Sequence, residues 1–231
     1  MKEAMENNAV EKSADATAGL SRRRFLTFAS GVLGASALIA ACNKDDDSPA
    51  PASDGTIDIG ANDTGLLNLL FALQQIEAAF YEQVFFNEFI GMTADERTKI
   101  SEIRNHEITH REFFRNLLGS NGTELEVEFP RVRFTDKNSV LENAKLLEDL
   151  NVAALNGMAT LMVTPDFLTL VGKMASVEAR HAVYVSELIA KNTFDNTTDP
   201  YGMEPGNAPN NVIAVANNFL KTKISGKNLP S

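Results

Sequence analysis

Four stretches of this chain carry apolar residues at alternating steps of three and four, and every one of these stripes turns polar at mid-length. The first reads Leu67, Leu70, Gln74, Glu77, Tyr81 and Val84, and the second Ile100, Ile103, Glu107, His110, Phe114 and Leu117. The third is Leu141, Ala144, Glu148, Asn151, Leu155 and Met158, and the fourth Val171, Met174, Glu178, His181, Val185 and Leu188. Such spacing places each set on one core-facing seam of a helix. Four helices that join these seams bury carboxylates and imidazoles at one depth.

That layer has to be compensated. A buried carboxylate without a partner costs several kcal/mol even after relaxation. Glu77, Glu107, Glu148 and Glu178 have no seam lysine or arginine at their level. Two divalent cations would balance four carboxylates, with His110 and His181 as neutral nitrogen ligands. Glu107 with His110, and Glu178 with His181, are Glu-x-x-His pairs. Each puts a carboxylate and an imidazole one helical turn apart on one face. These pairs use two of the three histidines in the chain. Tyr81 reads as core packing, and Met158, Met162 and Met174 as core filler.

The stripes predict where the helices begin and end. The first runs from about Asp63 to Ile90 and stops at Gly91. The second opens on the capping-box signature Thr93-Ala94-Asp95-Glu96 and stops at Gly119. The third opens on a second such signature, Ser139-Val140-Leu141-Glu142. The fourth starts at Thr164-Pro165, a cap residue followed by proline at the first helical position, and fades near Lys191. The connections are short, long and short, which describes a four-helix bundle with one crossover. The long link, residues 119–138, contains Leu125 to Phe129, which either pairs as a weak strand or crosses the bundle. Residues 193–231 form a loop-rich tail with a small helix from about Asn211 to Phe219.

The front of the chain reads differently. Ser21-Arg22-Arg23-Arg24-Phe25-Leu26 precedes an apolar run to Ala41, about 17 residues and short of the roughly 20 that a membrane span needs. Residues 1–41 resemble a twin-arginine export signal. The single cysteine, Cys42, follows Ile39-Ala40-Ala41 as in a bacterial lipobox, and is expected to be lipidated and to anchor the protein to a membrane. A plain signal cut near Ala41 is the alternative. The following Asn43-Lys44-Asp45-Asp46-Asp47 resembles the surface-export tag of Bacteroidetes lipoproteins, or is a solvated charge run. Residues 42–62 read as a lipid-anchor cysteine and a flexible tether. The expected location is the periplasm or the cell surface.

Charge excludes one class of partner. The whole chain has 21 Lys+Arg and 31 Asp+Glu; with the five basic and four acidic residues before Cys42 set aside, 16 and 27 remain. A net charge of −11 on residues 42–231 repels phosphates, so no nucleic-acid partner is expected.

The segments Ile76 to Tyr81, His106 to His110, Leu147 to Asp149 and Val177 to His181 together resemble a bacterial ferritin-like domain family, many of whose members are exported. The resemblance spans roughly residues 64–220. It implies an all-α, ferritin-like four-helix bundle, here over residues 63–192, with a short C-terminal helix beyond it. It also implies a di-metal centre of iron or manganese. Carried over by position, the ligands are Glu107, His110, Glu148, Glu178 and His181. The family's helix-one glutamate precedes a tyrosine by seven positions, and Gln74 stands there ahead of Tyr81. Either Glu77, one turn further on, or the Gln74 amide oxygen takes that role, or the first metal position is weakened.

Carboxylate and imidazole ligands suit iron or manganese, which cycle between oxidation states, so the first reading is a di-metal oxidoreductase acting on peroxide, oxygen or Fe(II), and a homo-oligomer is compatible with it. Two alternatives stand beside this reading. One is an exported scaffold that has kept the bundle and lost its activity. The other is a zinc peptidase, because His106 to His110 spells His-Glu-x-x-His. That motif leaves Glu148 and the second Glu-x-x-His without a purpose.

Overall fold

The structure is a computed structural model that describes residues 55–193 and 198–231. The expected signal, the lipidated Cys42 and most of the expected tether lie outside the described residues. Four long helices dominate: α1 (Asn62–Asn87), α2 (Ala94–Leu118), α3 (Lys137–Ala159) and α4 (Pro165–Ile189). A short α5 (Pro209–Ala216) and two-residue strands β1 (Ile57–Asp58) and β2 (Ile224–Ser225) complete the described secondary structure, apart from two single 3-10 turns. No helix among the described residues is long and apolar enough to cross a membrane.

The helices form the expected bundle. α1 packs on α2, and α3 on α4, as two hairpins. Across the hairpins, Tyr81 meets Glu148 while Glu77 meets Asn151, so α1 and α3 run antiparallel. His106 meets His181 while His110 meets Glu178, so α2 and α4 do the same. α2 and α3 are therefore parallel, and the chain must travel the length of the bundle between them. The long link does this. Val127 makes one antiparallel bridge to Leu220, so Leu125 to Phe129 crosses the bundle with only that token pairing.

Two helix ends differ from expectation, and a third starts as expected but is held differently, each for a visible reason. α1 ends at Asn87, before Gly91, because Glu88 adopts a left-handed φ of 34°. That turn sends Phe89 back into the core and pairs the Ile90 N–H with the Thr135 carbonyl at 3.0 Å. α3 starts at Lys137 because Asp136 is the true cap, accepting from the Asn138 and Ser139 amides. The Ser139 hydroxyl accepts instead from the Arg133 N–H at 2.9 Å. At α4, Thr164 occupies the cap position, but its side chain does not cap. The Asp63 carboxylate on α1 reaches across and accepts from the Val163 and Thr164 amides at 3.0 and 2.8 Å. The Thr93–Glu96 capping box of α2 forms as expected.

α1 is not a half-buried amphipathic helix. Almost every residue from Gly65 to Tyr81 is buried, because the crossover and the tail cover the face turned away from the bundle. Buried amides stitch them on. Asn68 donates to Asn121 O and accepts from Thr123 N; Gln75 donates to Thr123 O and accepts from Leu125 N. Phe80 packs against Phe129 and Phe134 of the crossover, both at 5.7 Å between ring centres. Burying this apolar face removes aromatic area from water, the main favourable term in such packing.

Residues 57–60, expected as tether, are ordered. β1 pairs in parallel with β2 of the tail, Ile57 against Ile224, and Ile59 is buried. The tail crosses α3 at Gly157, where the Asn207 amide donates to the Ala153 carbonyl at 2.8 Å. The small tail helix starts earlier than expected, with Pro209 in its first turn, and its last residues, 217–219, tighten into a 3-10 turn.

Candidate metal centre

The polar midpoints of the four seams converge. Glu77, Glu107, Glu148, Glu178, Gln74, Asn151 and His181 are all buried, and His110 is nearly so at 13% side-chain exposure. Glu107, Glu148, Glu178 and His181 each offer one ligand atom, and these atoms lie within 4.8 Å of one another. Three helices supply this group: α2, α3 and α4. The two Glu-x-x-His pairs face each other, and each imidazole also serves the opposite helix. His110 Nδ1 is 2.8 Å from Glu178 and 3.7 Å from Glu107. His181 Nδ1 is 2.8 Å from Glu107, 3.1 Å from Glu178 and 3.7 Å from Glu148.

Helix one contributes less directly. Gln74 turns its amide nitrogen inward and donates to Glu77 at 3.1 Å and Glu178 at 3.3 Å. Glu77 also accepts from the Asn151 amide at 2.6 Å. The same Glu77 oxygen thus takes two amide donors, and Glu77 stands outside the close four-residue group. Tyr81, expected only as packing, donates its hydroxyl to Glu148 at 2.5 Å. Asn151 and Tyr81 were visible as polar positions of the seams, and that is the signal that marks them as part of this layer.

The electrostatics are those of a layer with too many acids. Burial pushes Glu77 well above the usual carboxylate range, and the charges of Glu107, Glu148 and Glu178 push it further. Burial likewise raises Glu148 to about 8, against the pull of His181. Burial would raise Glu178 too, but the imidazoles of His110 and His181 beside it outweigh this and hold the carboxyl at about 2. Burial opposes charge on His181, yet the close carboxylates of Glu107, Glu148 and Glu178 lift it to about 12. His110 rises to about 9, its burial outweighed by Glu107 and Glu178.

The donor set is suited to a cation. Both Glu107 oxygens, Glu148 Oε2, Glu77 Oε1, Gln74 Oε1 and Asn151 Oδ1 are buried acceptors that receive no aligned hydrogen bond from any described residue. The 2.8 Å approach of His181 to Glu107 is close but poorly aligned. Buried acceptors cost roughly 1–3 kcal/mol each when unsatisfied, more when charged, so such a cluster calls for positive charge. Carboxylate oxygens with imidazole nitrogen suit divalent iron or manganese. Residues of this kind on facing helices are how bundles build carboxylate-bridged metal sites.

The ferritin-like domain family matches residues 62–191, more than half of the chain and all four long helices. The chain belongs to that family. Comparison with curated proteins finds no match.

Proposed function

We propose that this protein holds iron or manganese in the carboxylate layer of its bundle and acts as a di-metal oxidoreductase toward peroxide, oxygen or Fe(II). The observation that carries the reading is the set of buried, unsatisfied acceptor oxygens on Glu107, Glu148 and Glu77 beside two inward imidazoles. Glu107, Glu148, Glu178 and His181 would hold the first ion. His110, beside Glu107 and Glu178, and Glu77 or the Gln74 oxygen would supply donors for a second ion. Either metal, once bound, supplies one-electron chemistry that the side chains alone lack. The protein's own part is to exclude water and to hold the ligands in place. Asn151 and Gln74 fix Glu77, and Tyr81 fixes Glu148. The Tyr81 hydroxyl also keeps a proton beside the Glu148 oxygen.

Elemental analysis of protein purified without chelators tests this. About two iron or manganese ions per chain are expected, both lost in Glu107→Ala or Glu178→Ala. A folded protein without stoichiometric metal would sink the reading and leave the scaffold alternative, which draws on Gln74 standing where a carboxylate was expected. A single zinc ion would favour a peptidase. That alternative needs both imidazoles of the His106–His110 segment on one ion, whereas His106 reaches His181 and His110 reaches Glu178.

Export and membrane attachment belong to the same proposal. Arg22-Arg23-Arg24, the apolar run after it and Cys42 support a lipid-anchored, exported protein. Cys42→Ala should then release the protein from the membrane fraction. Unchanged membrane association would refute the anchor.

A further inference from the structure

His106 is the one histidine outside the layer, an exposed residue just before Glu107 on α2. Its Nδ1 lies 2.9 Å from Nε2 of His181. The two rings are tilted by only 17°, with centres 5.2 Å apart. Atoms stacked face to face stay about 3.5 Å apart or more, so a 2.9 Å nitrogen contact is an edge-to-edge N–H···N bond near both ring planes.

The two nitrogens of His181 therefore have separate tasks. Nδ1 faces Glu107, Glu178 and Glu148. Nε2 faces His106. An imidazole that ligates a cation is neutral and keeps one proton, on the nitrogen away from the ion. For His181 that proton sits on Nε2 and needs an acceptor. We propose that His106 is a positioning residue: its Nδ1 accepts the Nε2–H of His181, which fixes the ring and leaves Nδ1 of His181 as the metal-binding nitrogen. This inference rests on the metal reading above. A partner for the outer N–H of a ligating histidine both orients the ring and strengthens it as a ligand. The arrangement also gives α2 two roles one residue apart, a ligand at Glu107 and the support for α4's ligand at His106.

Cobalt(II) provides the probe, because its visible absorption reports coordination as well as affinity. The full-length protein is stripped with chelator, and Co(II) is titrated in competition with a chelator of known affinity. Three variants are compared with the parent: His106→Leu, which removes the acceptor; His106→Asn, whose Oδ1 can stand for Nδ1; and Glu178→Ala, which removes a ligand. His106→Leu should weaken Co(II) binding about 10–100-fold and shift its absorption, while His106→Asn should stay within about threefold of the parent. Parent-like affinity in His106→Leu would overturn the inference, as would a His106→Asn as weak as His106→Leu. If the parent itself binds no stoichiometric Co(II) and Glu178→Ala changes nothing, the metal reading fails and this inference with it. His106 is exposed, so loss of the fold is not expected in either of its variants.

Discussion

Replacing Gly157 with alanine sets two effects against each other. Gly157 lies in the last turn of α3, and alanine is worth roughly 0.8–1.0 kcal/mol over glycine in a helix. Propensity alone therefore makes Gly157→Ala stabilising. The tail opposes it. A Cβ at Gly157 would stand 2.0 Å from the Asn207 carbonyl oxygen and 2.8 and 2.9 Å from its carbon and nitrogen. All three are backbone atoms and cannot swing aside. Relief requires the strand of tail around Asn207 to lift by more than 1 Å, roughly, to restore van der Waals distances. That movement breaks the Asn207 N–H bond to Ala153 and strains the Asn156 bond to Glu204 O. Each hydrogen bond is worth about 0.5–1.5 kcal/mol, and overpacking typically costs about 1–3 kcal/mol. The net is a destabilisation of about 2 kcal/mol, or a Tm lower by about 4–8 °C for a domain of this size. Thermal unfolding followed by far-ultraviolet circular dichroism reads it. Gly172→Ala is the control: its Cβ meets nothing within 4 Å on an exposed face of α4, so it should raise Tm slightly. A Gly157→Ala protein as stable as the parent, or more so, would refute the packing argument.

Gln74→Glu should lower the stability of the metal-free protein, since it sets a third carboxylate against Glu77 and Glu178, and should enlarge the rise in Tm on adding Mn(II); equal metal response in both proteins would refute a weak corner at helix one. Asp63→Asn should cost about 0.5–2 kcal/mol by weakening the support at the start of α4. Burial works against the Asp63 charge, but hydrogen bonds from Thr164 and Val163 outweigh it and lower its pKa. The group is ionised in the native state below its ordinary pKa, so its contribution is full above the usual aspartate value and is lost as pH falls through the lowered one. Urea unfolding at stepped pH should show the parent and Asp63→Asn converging only in strong acid; convergence near neutrality would refute the assignment. Gln75→Leu should destabilise by about 1–3 kcal/mol, because it leaves Thr123 O and the Leu125 N–H unpaired against α1. An unchanged denaturation midpoint would show that these bonds are replaced by others.

The bundle was legible in the sequence because a seam is a local property. Steps of three and four among Val171, Met174, Glu178, His181 and Val185 need only one helix to be read, and each of those residues is buried. The same holds for the capping box at Thr93. What escaped was whatever depended on a distant partner. Asp63 caps a helix 100 positions away, and no spacing rule points from one to the other. The α1 seam says nothing of its other face, and the segments that cover that face carry no strong pattern of their own. The α2 stripe also slips by one place at its end, with Leu118 buried and Leu117 only partly so, as a straight helix drifts against a strict repeat. In the site, the inward carboxylates and His181 were readable from the stripes. The bond from Tyr81 to Glu148 and the contact from His106 to His181 were not, because which atoms of two seams meet is set by packing.

The pairing of β1 with β2 bears on the order in which this molecule is assembled. Asp58 and Asn228, joined by a 2.7 Å hydrogen bond, are 170 positions apart. Contacts of such long range carry a large loop-closure cost until the intervening chain is compact, so they form late. The part of α1 that the tail covers, around Gly65, is therefore sealed after the helices have come together. A folding chain in which Ile224 has not yet reached Ile57 would hold its four helices with part of that apolar side still uncovered.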